Sequence, residues 1–318
     1  MRNESFLSNF SPVLKLMSLV VIIIICGFVF NLLGIVIAIP FWGKEAITAI
    51  TGSINFDFKE HINFFKYLQI VNEIGMFVVP SVLFAFLVSK SIGVYLKIKQ
   101  LPRLYTLIAG LLVIVVSMPF ISWLISINEM MHLPQALSGI EEWMRKSEDS
   151  AEVFTKAFLE GSSLQLLLLN LLMIAVLPAI GEEFLFRGVL IKIFKDWFGN
   201  PHIAIFVAAF LFSAIHMQFF GFLPRFVLGL LLGYLYYFSK NLWVPIAAHF
   251  FNNASAVIAS FLYNRKIIHS DIDTLVSAKG DYLLIIVSFA LTLLLMISIY
   301  KREKNTKDKE DNQVLPLE

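Results

Sequence analysis

Three ionisable side chains lie close together in the stretch VLPAIGEEFLFRGVLI, residues 176–191, which is otherwise apolar. They are Glu182, Glu183 and Arg187. Each charge at the centre of a membrane-spanning helix costs about 2.5–3.5 kcal/mol on insertion scales. Because that cost is high, ionisable residues inside a membrane are functional candidates by default, and their partners must lie elsewhere in the chain.

Helix geometry sorts these three residues into different roles. Glu183 and Arg187 are four residues apart with the acid on the N-terminal side, which is the favourable order for an ion pair on one helix face. Glu182 lies about 100° around the helix from Glu183, so it cannot easily share that arginine. Glu182 therefore needs a partner on another helix.

Two later apolar segments carry the remaining polar candidates. His216 ends the stretch FLFSAIH, four residues after Phe212, so the two rings share a helix face. His249 and Asn253 in AAHFFNNAS are also four residues apart, so one face presents an imidazole and an amide together. A lone histidine or asparagine in a membrane helix is more often an interhelical hydrogen-bonding group than a catalyst. A cluster of six polar groups in three helices favours a functional site.

A carboxylate, two imidazoles and an amide around a cavity suit the activation of water. A buried glutamate can act as general base, one imidazole can align the water, and a second imidazole with an amide can stabilise an oxyanion. In an alternative scheme, Glu182, His216 and His249 hold zinc around a bound water. Both schemes lead to hydrolysis of an acyl bond, in the first place a peptide bond.

The patterns of other intramembrane proteases are missing from the sequence. It contains no H-E-x-x-H, which argues against a zincin-type site. Ser163 in GSSL has no evident histidine partner. The Gly-Asp of KGDY (279–282) falls in a connection and lacks a second intramembrane aspartate. No nucleophilic side chain therefore competes with an activated water.

The composition places most of the chain in lipid. Of its 318 residues, 58% are hydrophobic and only 15% are charged, and the mean hydropathy is +0.79. The single cysteine, Cys26, excludes a disulfide within one chain. The first apolar segment is too long for a signal peptide. Since the charges lie at helix ends and tails, without a basic stripe, nucleic acid is not an expected partner and the lipid bilayer is.

Apolar runs predict an all-α polytopic membrane protein with about eight transmembrane helices in one bundle. A helix needs roughly 20 apolar residues to cross about 30 Å of hydrocarbon. The runs on this scale are 16–40, 68–89, 104–127, 163–186, 202–220, 223–239, 243–262 and 281–300.

These spans divide the chain into four segments. Residues 1–162 hold the first helices and the polar connection 128–161, which has amphipathic helical character. Residues 163–262 form the catalytic helices, and residues 263–300 contain the last transmembrane helix. Residues 301–318, KREKNTKDKEDNQVLPLE, are expected to be a disordered, charged tail.

Lysine and arginine residues set the expected orientation. Most of them fall in cytoplasmic segments if both termini lie in the cytoplasm, and both the charged tail and the loop 90–103 favour that side. We therefore expect a multi-pass protein of the cell membrane with both termini cytoplasmic.

A helical hairpin is expected to bring Glu182 and His216 to the same level. If the helix of Glu182 continues through VLIKIFKDWFG, the chain reverses near Asn200–Pro201, and both residues lie at similar distances from that turn. Pro178 and Gly181 can kink the helix and loosen backbone bonds near the carboxylate. Glu182 and His216 are therefore predicted to meet.

Three motifs carry a resemblance to a known family. EEFLFR (182–187) matches E-E-x-x-x-R, FSAIH (212–216) matches F-x-x-x-H, and HFFNN (249–253) matches H-x-x-x-N. In this order on successive spans, they resemble the type II CaaX prenyl endopeptidases, also called the CPBP or Abi family of intramembrane proteases. The resembling region is about 165–260, under a third of the chain.

The resemblance implies an eight-helix membrane fold and a role for each motif. Glu182 and His216 would activate the water, and His249 and Asn253 would form the oxyanion hole. The second glutamate and the arginine of the first motif would support them, and we group Phe212 of the second motif with these supporting residues.

Family members have been interpreted both as glutamate-based and as metal-dependent enzymes. Because H-E-x-x-H is absent and an amide lies beside the second histidine, the metal-free scheme is favoured here. No cofactor is then required. Zinc held by Glu182, His216 and His249 is the alternative.

The predicted function is an intramembrane endopeptidase acting on a membrane-associated or lipid-modified protein. The family includes enzymes that remove the last three residues after a prenylated cysteine, but nothing in this sequence indicates prenyl binding. One alternative is a non-proteolytic scaffold or immunity protein that binds an envelope partner. Another is a proton-coupled transporter using Glu182 and His216 as a relay, although no obvious inverted repeat supports it.

Other polar residues are given no catalytic role. Glu73, beside Asn72, is expected to be structural and close to a membrane boundary, and lining of the site is the alternative. Histidines in connections or at span ends are given no role: His61, His132, His202 and His269.

Overall fold

Every regular element that the computed structural model describes, over residues 5–51, 61–269 and 281–314, is a helix. The prediction of an all-α, polytopic membrane protein is confirmed. Parts of the predicted segments, including half of KGDY, lie outside the described residues: 1–4, 52–60, 270–280 and 315–318.

The main helices follow one another with short connections. Three shorter helical turns occur at Ile92–Tyr95, Gln135–Leu137 and Phe219–Gly221. The backbone of the first helix departs from helical geometry at Gly43, which has a φ of 34°. The helices are α1 (Pro12–Thr51), α2 (Ile62–Val88), α3 (Leu104–Glu129), α4 (Ser138–Leu159), α5 (Leu164–Phe198), α6 (Pro201–Ala214), α7 (Phe222–Ser239), α8 (Trp243–Asn264) and α9 (Tyr282–Val314).

Six of the described helices are long and apolar enough to cross a membrane, namely α1, α2, α3, α5, α7 and α9. The expected count of about eight spans is therefore not confirmed. Helix α6 has 14 residues, and at 1.5 Å per residue it is about 21 Å long, short of the roughly 30 Å of hydrocarbon. Helix α8 carries His249, Asn252 and Asn253, whose polar side chains lower its hydropathy.

The hairpin between α5 and α6 forms where the sequence predicts it. Gly199 ends α5 in the left-handed conformation, with a φ of 66°, which glycine adopts without steric cost. The side chain of Asn200 then caps α6 by accepting from the backbone N–H groups of His202 and Ile203. Pro201 follows at the first helical position, where its missing N–H is not needed.

Connections at the two ends of the bundle are held by different contacts. At one end, Trp243 Nε1 donates to the carbonyl of Ile98 over 3.0 Å, which ties the start of α8 to the loop between α2 and α3. At the other end, Ser147 Oγ on α4 donates to the carbonyl of Met217 over 2.9 Å. The helical character predicted for the polar connection is confirmed, and α4 covers the end of the bundle where α6 joins α7.

Helix α5 contains wider π-helical turns before and after the pair Glu182–Glu183, at Leu171–Val176 and Phe184–Leu190. Pro178 has no N–H, so the carbonyl of Ile174, four residues earlier, lacks its α-helical donor. The side chain of Asn253 on α8 supplies one, since its Nδ2 lies 3.0 Å from that carbonyl. The proline thus exposes an acceptor that ties α5 to α8.

Small residues let α7 pack closely against α6. Gly229 and Gly233 are four residues apart on α7. A Cβ at Gly229 would lie 3.1 Å from Ala209 Cβ, and a Cβ at Gly233 would lie 2.7 Å from Ile205 Cγ2. Close approach at small residues is a common basis of helix packing in membranes. It brings Phe212 on α6 and the carbonyl of Gly229 towards the buried face of α5.

Helix α9 extends beyond its apolar part into the charged tail. The helix runs to Val314, so the expected disorder of 301–318 is wrong as far as that residue. Glu303 on this extension contacts α3, because Arg103 Nη1 donates to its Oε2 over 2.7 Å and Thr106 Oγ1 donates to its Oε1. Tertiary contacts therefore order a segment whose composition alone favours disorder.

Candidate active site

Glu183 is the centre of a buried cluster formed by α5 and α8. Arg187 Nη1 donates to Glu183 Oε1 over 2.7 Å, so the structure brings these two residues together as their spacing predicts. His249 Nδ1 lies 2.9 Å from the same oxygen. It donates this hydrogen bond, because a carboxylate paired with arginine only accepts. All three side chains are buried, and their charges and hydrogen bonds compensate one another.

Arg187 makes two further contacts that fix its position. Its Nη2 donates to the backbone carbonyl of Gly229 on α7 over 3.0 Å. Its guanidinium carbon lies 4.7 Å from the centre of the Phe212 ring on α6, a cation–π distance. The arginine of the first motif thus joins three helices, which is how a fully buried guanidinium can be accommodated.

Phe212 lies between the aromatic side chains of all three motifs. Its ring centroid is 5.3 Å from that of Phe186, 5.4 Å from that of His216 and 5.9 Å from that of His249. These are edge-to-face contacts, which favour one fixed arrangement of the rings. Phe212 therefore positions both imidazoles.

The imidazole of His216 is hydrogen-bonded to the C-terminal end of α6. Its Nδ1 lies 2.8 Å from the carbonyl of Phe212, and because a carbonyl only accepts, Nδ1 carries the hydrogen. In the neutral ring, Nε2 is then the nitrogen that can accept a proton or align a water.

The predicted meeting of Glu182 and His216 does not occur as a direct contact, since no hydrogen bond joins their described side chains. Helix α6 ends at Ala214, so His216 lies in the turn beyond it. The histidine closest to Glu182 in the structure is that of the third motif. Glu182 Oε2 lies 3.8 Å from His249 Nε2, which is too long for a direct hydrogen bond.

Asn253 lies four residues after His249 on α8, so its amide is on the same helix face as the imidazole. Its Nδ2 donates to Ile174, and its Oδ1 accepts from Asn252 Nδ2 over 3.0 Å. An amide nitrogen carries two hydrogens, so a second donor is available for a substrate oxygen. Together, the bonds from Ile174 and Asn252 hold this amide in one orientation.

Glu73 on α2, for which lining of the site is only the alternative in the sequence-based interpretation, lies close to Glu182 in the structure. It is buried, its Oε1 has no hydrogen-bond partner among the described residues, and it lies in electrostatic range of Glu182. A Cβ at Gly181 would be 3.1 Å from that oxygen. Because Gly181 has no side chain, α2 can bring a third carboxyl group close to the glutamate pair. This glycine, directly before the pair, is the feature of the sequence that indicates the close approach of α2.

A zinc ion held by Glu182, His216 and His249 would need these side chains to converge, and among the described residues no three histidine, cysteine, aspartate or glutamate side chains form such a group. His216 is bonded through Nδ1 to a backbone carbonyl, and His249 is bonded through Nδ1 to Glu183. These bonds leave Nε2 of both rings open, as in metal-ligating histidines. The zinc alternative therefore stays a prediction.

A cleft of about 780 Å³ opens beside the cluster at the end of the bundle covered by α4. Its lining includes Asn252, the neighbour of Asn253, and Arg225, which lies in electrostatic range of Glu182. Glu148 and Asp149 of α4 also line it. None of the described side chains of the buried cluster lines this cleft, which approaches the cluster through Asn252 and Arg225.

The fold and the cluster define a class: a multi-pass helical membrane protein with buried ionisable side chains between its helices. Residues 164–255 match the family described as Type II CAAX prenyl endopeptidase Rce1-like. The match contains all three motifs, so the resemblance seen in the sequence is confirmed for this region. Because the matched family is one of endopeptidases, it indicates a membrane protease.

A bacterial protein is similar to part of the chain. The Uncharacterized protein YpbD of Bacillus subtilis (strain 168) is 33% identical over 89 residues, which are 27% of this chain and 42% of that protein. The chain thus spans less than half the length of this relative. No solved structure matches the chain.

Proposed function

We propose that this protein is an intramembrane endopeptidase that hydrolyses a peptide bond of a membrane-associated protein with a water activated by Glu182. The observation that carries the proposal is that the two glutamates of the buried cluster have different bonding partners. Glu183 is bonded to both Arg187 and His249, whereas Glu182 has no such partner and faces His249 Nε2 at 3.8 Å. The glutamate without a bonded cation is the one available for proton transfer.

In the proposed reaction, Glu182 accepts a proton from water as the water oxygen attacks the peptide carbonyl carbon. The new C–O bond places negative charge on the carbonyl oxygen, which His249 and the second amide hydrogen of Asn253 stabilise. The C–N bond then breaks, and the proton held by Glu182 passes to the leaving amine. His216 Nε2 aligns the water and accepts hydrogen bonds from it during this transfer.

Glu183 and Arg187 act in this scheme without touching the substrate. The hydrogen bond from His249 Nδ1 to Glu183 fixes the imidazole so that Nε2 faces the reaction space. The bond from Arg187 keeps Glu183 in place while compensating its charge. Both residues are therefore positioning residues.

The substrate class follows from the burial of the site. Glu182 is buried on α5, a helix long and apolar enough to cross a membrane, so a substrate has to reach it within or close to the bilayer. We therefore propose a substrate that is tethered to the bilayer, by its own helix or by a lipid modification. The tether would keep the scissile bond near the site at high local concentration.

The experiment compares protein termini in membranes of cells carrying the wild type, Glu182→Gln or Glu142→Gln at equal abundance. Glu142 is an exposed glutamate on α4, so its variant is a matched control for loss of one carboxylate. New termini should appear with the wild type and Glu142→Gln and be absent with Glu182→Gln. Matching profiles in all three, with the cellular effect retained by Glu182→Gln, would favour the scaffold or immunity function instead.

A second measurement addresses metal dependence. Cleavage of a substrate found in this way should persist after treatment of the purified protein with a chelator. Loss of cleavage that zinc restores would replace the proposed mechanism by the metal-dependent one.

A further inference from the structure

A second cavity, of about 760 Å³, lies at the end of the bundle opposite to α4. Its lining comes from the loop before α3, the first turn of α3, the connection from α7 to α8, and the part of α9 that extends beyond the bundle. Spanning helices begin and end here. The cavity therefore lies at the level of the lipid headgroups, at the boundary of the hydrocarbon.

Five of the seventeen residues that line this cavity are basic. They are contributed by three separate parts of the chain, so no single charged run accounts for them. Among the lining residues Glu303 is the acidic one, and it is bonded to Arg103 over 2.7 Å. The excess of positive charge is therefore large for so small a space. The basic residues are Lys97, Lys99, Arg103, Lys240 and Lys304.

Two of these lysines are held in an unusual backbone conformation. Lys97 and Lys240 have φ values of 61° and 53°, in the left-handed region that side chains other than glycine and asparagine rarely adopt. The backbone N–H of Leu242 donates to the carbonyl of Lys97 over 3.1 Å, which joins the two turns. The lysines are thus presented by a fixed framework, and the cavity is preformed.

The N-terminus of α3 adds to the positive potential. Arg103 is the cap residue, and no side chain caps the helix. The first turn of this 26-residue helix borders the cavity through Arg103 and Thr106. The N–H groups and the helix dipole add positive potential here, part of which the carboxylate of Glu303, bonded to Arg103 and Thr106, offsets.

The rim of the cavity is apolar and exposed. Leu101 and Leu104 are 86% and 70% exposed, and Tyr300 lines the cavity with its ring 44% exposed. At the membrane boundary, side chains of this kind contact acyl chains, and tyrosine favours the headgroup level. The site thus combines an anion-binding interior with a lipid-facing edge, which suits an amphiphilic ligand.

We propose that this cavity binds a phosphate group, presented by the headgroup of an anionic phospholipid whose acyl chains lie against the exposed leucines. Basic pockets between membrane helices bind such headgroups elsewhere. The observations that carry the assignment are the convergence of five basic residues on a preformed cavity and its apolar rim. The proposal is independent of the proteolytic function, because the cavity lies at the other end of the bundle.

The test uses the full-length protein purified in detergent and measures the affinity of phosphatidylglycerol by native mass spectrometry, with phosphatidylcholine as the neutral reference. The main variant is Lys97→Asn/Lys240→Asn, since asparagine removes the charge but tolerates the left-handed backbone. The control, Lys146→Gln/Lys156→Gln, removes two charges from α4 at the far end. A second variant, Lys99→Gln/Lys304→Gln, leaves both left-handed turns intact.

The wild type and the control should bind phosphatidylglycerol more tightly than phosphatidylcholine. The main variant should bind it about 25-fold more weakly, because each basic residue near an anionic lipid surface contributes roughly fivefold. Lys99→Gln/Lys304→Gln should be weakened as well, which separates loss of charge from misfolding of one variant. Equal affinities for all four proteins would overturn the proposal.

Competition identifies the source of the phosphate. Glycerol phosphate and inorganic phosphate are added separately to the wild type with bound phosphatidylglycerol. If the lipid is the ligand, neither soluble compound displaces it at comparable concentration, because they cannot contact the apolar rim. Displacement by either compound would overturn the lipid assignment and identify the cavity as a site for soluble phosphate compounds.

Discussion

The same spacing of an acid and a base occurs in two very different surroundings in this protein. Glu183–Arg187 on α5 and Glu142–Lys146 on α4 are both four residues apart, with closest N···O distances of 2.7 Å. The side chains of the first pair are 0% and 1% exposed, whereas those of the second are 68% and 72% exposed. The two pairs therefore have the same sequence spacing and the same closest N···O distance, but one is buried and the other is exposed to solvent.

This comparison indicates that the geometry of an ion pair does not determine its contribution to the free energy of unfolding. Water and salt screen the exposed pair, so its partners can separate at little cost. In the buried pair, removal of one partner leaves a charge without compensation in a low-dielectric site. Glu183 also accepts a hydrogen bond from His249, so the buried ion pair is part of the candidate active site.

The largest effect is expected for Arg187→Ala. It should lower the free energy of unfolding by about 3–5 kcal/mol, because Glu183 is left buried without its cation. The measurement is the abundance of the protein in membranes together with its thermal unfolding in detergent. Lys146→Ala is the matched control on α4 and should leave both quantities unchanged. Normal abundance of the Arg187 variant would contradict the contrast between the two pairs.

A smaller loss of stability is expected for Gly181→Ala. The new Cβ would lie 2.9 Å from Phe77 Cβ and 3.1 Å from Glu73 Oε1, so α2 has to move away from α5. Such overpacking costs about 1–3 kcal/mol. Gly139→Ala on α4 is the control, because a Cβ there meets nothing within 4 Å. Equal melting temperatures for both variants would show that α2 does not approach the site as closely as described.

A further prediction concerns the bond between α8 and α5. Asn253→Ala should destabilise the protein by about 1 kcal/mol, a usual size for side-chain hydrogen bonds in membranes. The loss should shrink when Pro178→Ala is added, because residue 178 then offers an N–H to the carbonyl of Ile174. Thermal unfolding of the two single variants and the double variant measures this coupling. If the destabilisation of the double variant equals the sum of the values for the two single variants, the link between Pro178 and Asn253 is contradicted.

Local chemistry made some of these features predictable. The hairpin at Asn200–Pro201 follows from capping and proline rules, and the pairing of Glu183 with Arg187 follows from helix periodicity. The bond between Ile174 and Asn253 was accessible in principle, since Pro178 marks the carbonyl that needs a donor.

Contacts between distant helices were not predictable in the same way. Glu183 and His249 are 66 residues apart, and their contact depends on how α5 and α8 pack. No hydrogen bond joins the described side chains of Glu182 and His216, and the histidine lies two residues beyond the end of α6 at Ala214. Helix periodicity describes one helix at a time, and it neither orients one helix against another nor places a side chain beyond a helix end.

The smallest effect is expected for acidification around α4. Hydrogen bonds from Arg145, then from His132 and the backbone of Leu133, lower the pKa of Glu141 from 4.5 to about 2. A carboxyl group with a lowered pKa stabilises the fold above its unfolded pKa, and this contribution is lost as the pH falls through about 2. The difference in melting temperature between the wild type and Glu141→Gln should thus be constant from pH 7 to 5 and disappear towards pH 2. A difference that vanishes by pH 5 would contradict these bonds.

The most direct test of the central claim compares thermal unfolding of Glu182→Gln and Glu183→Gln in the same detergent. The claim is that Glu182 is present for chemistry, whereas Glu183 holds the cluster together. Glu182→Gln should therefore keep or raise the melting temperature, since it removes a carboxylate near Glu73 and Glu183. Glu183→Gln should lower it by several degrees, because Arg187 and His249 lose their shared acceptor. Equal destabilisation by the two substitutions would contradict the account, since Glu182 would then be as structural as its neighbour.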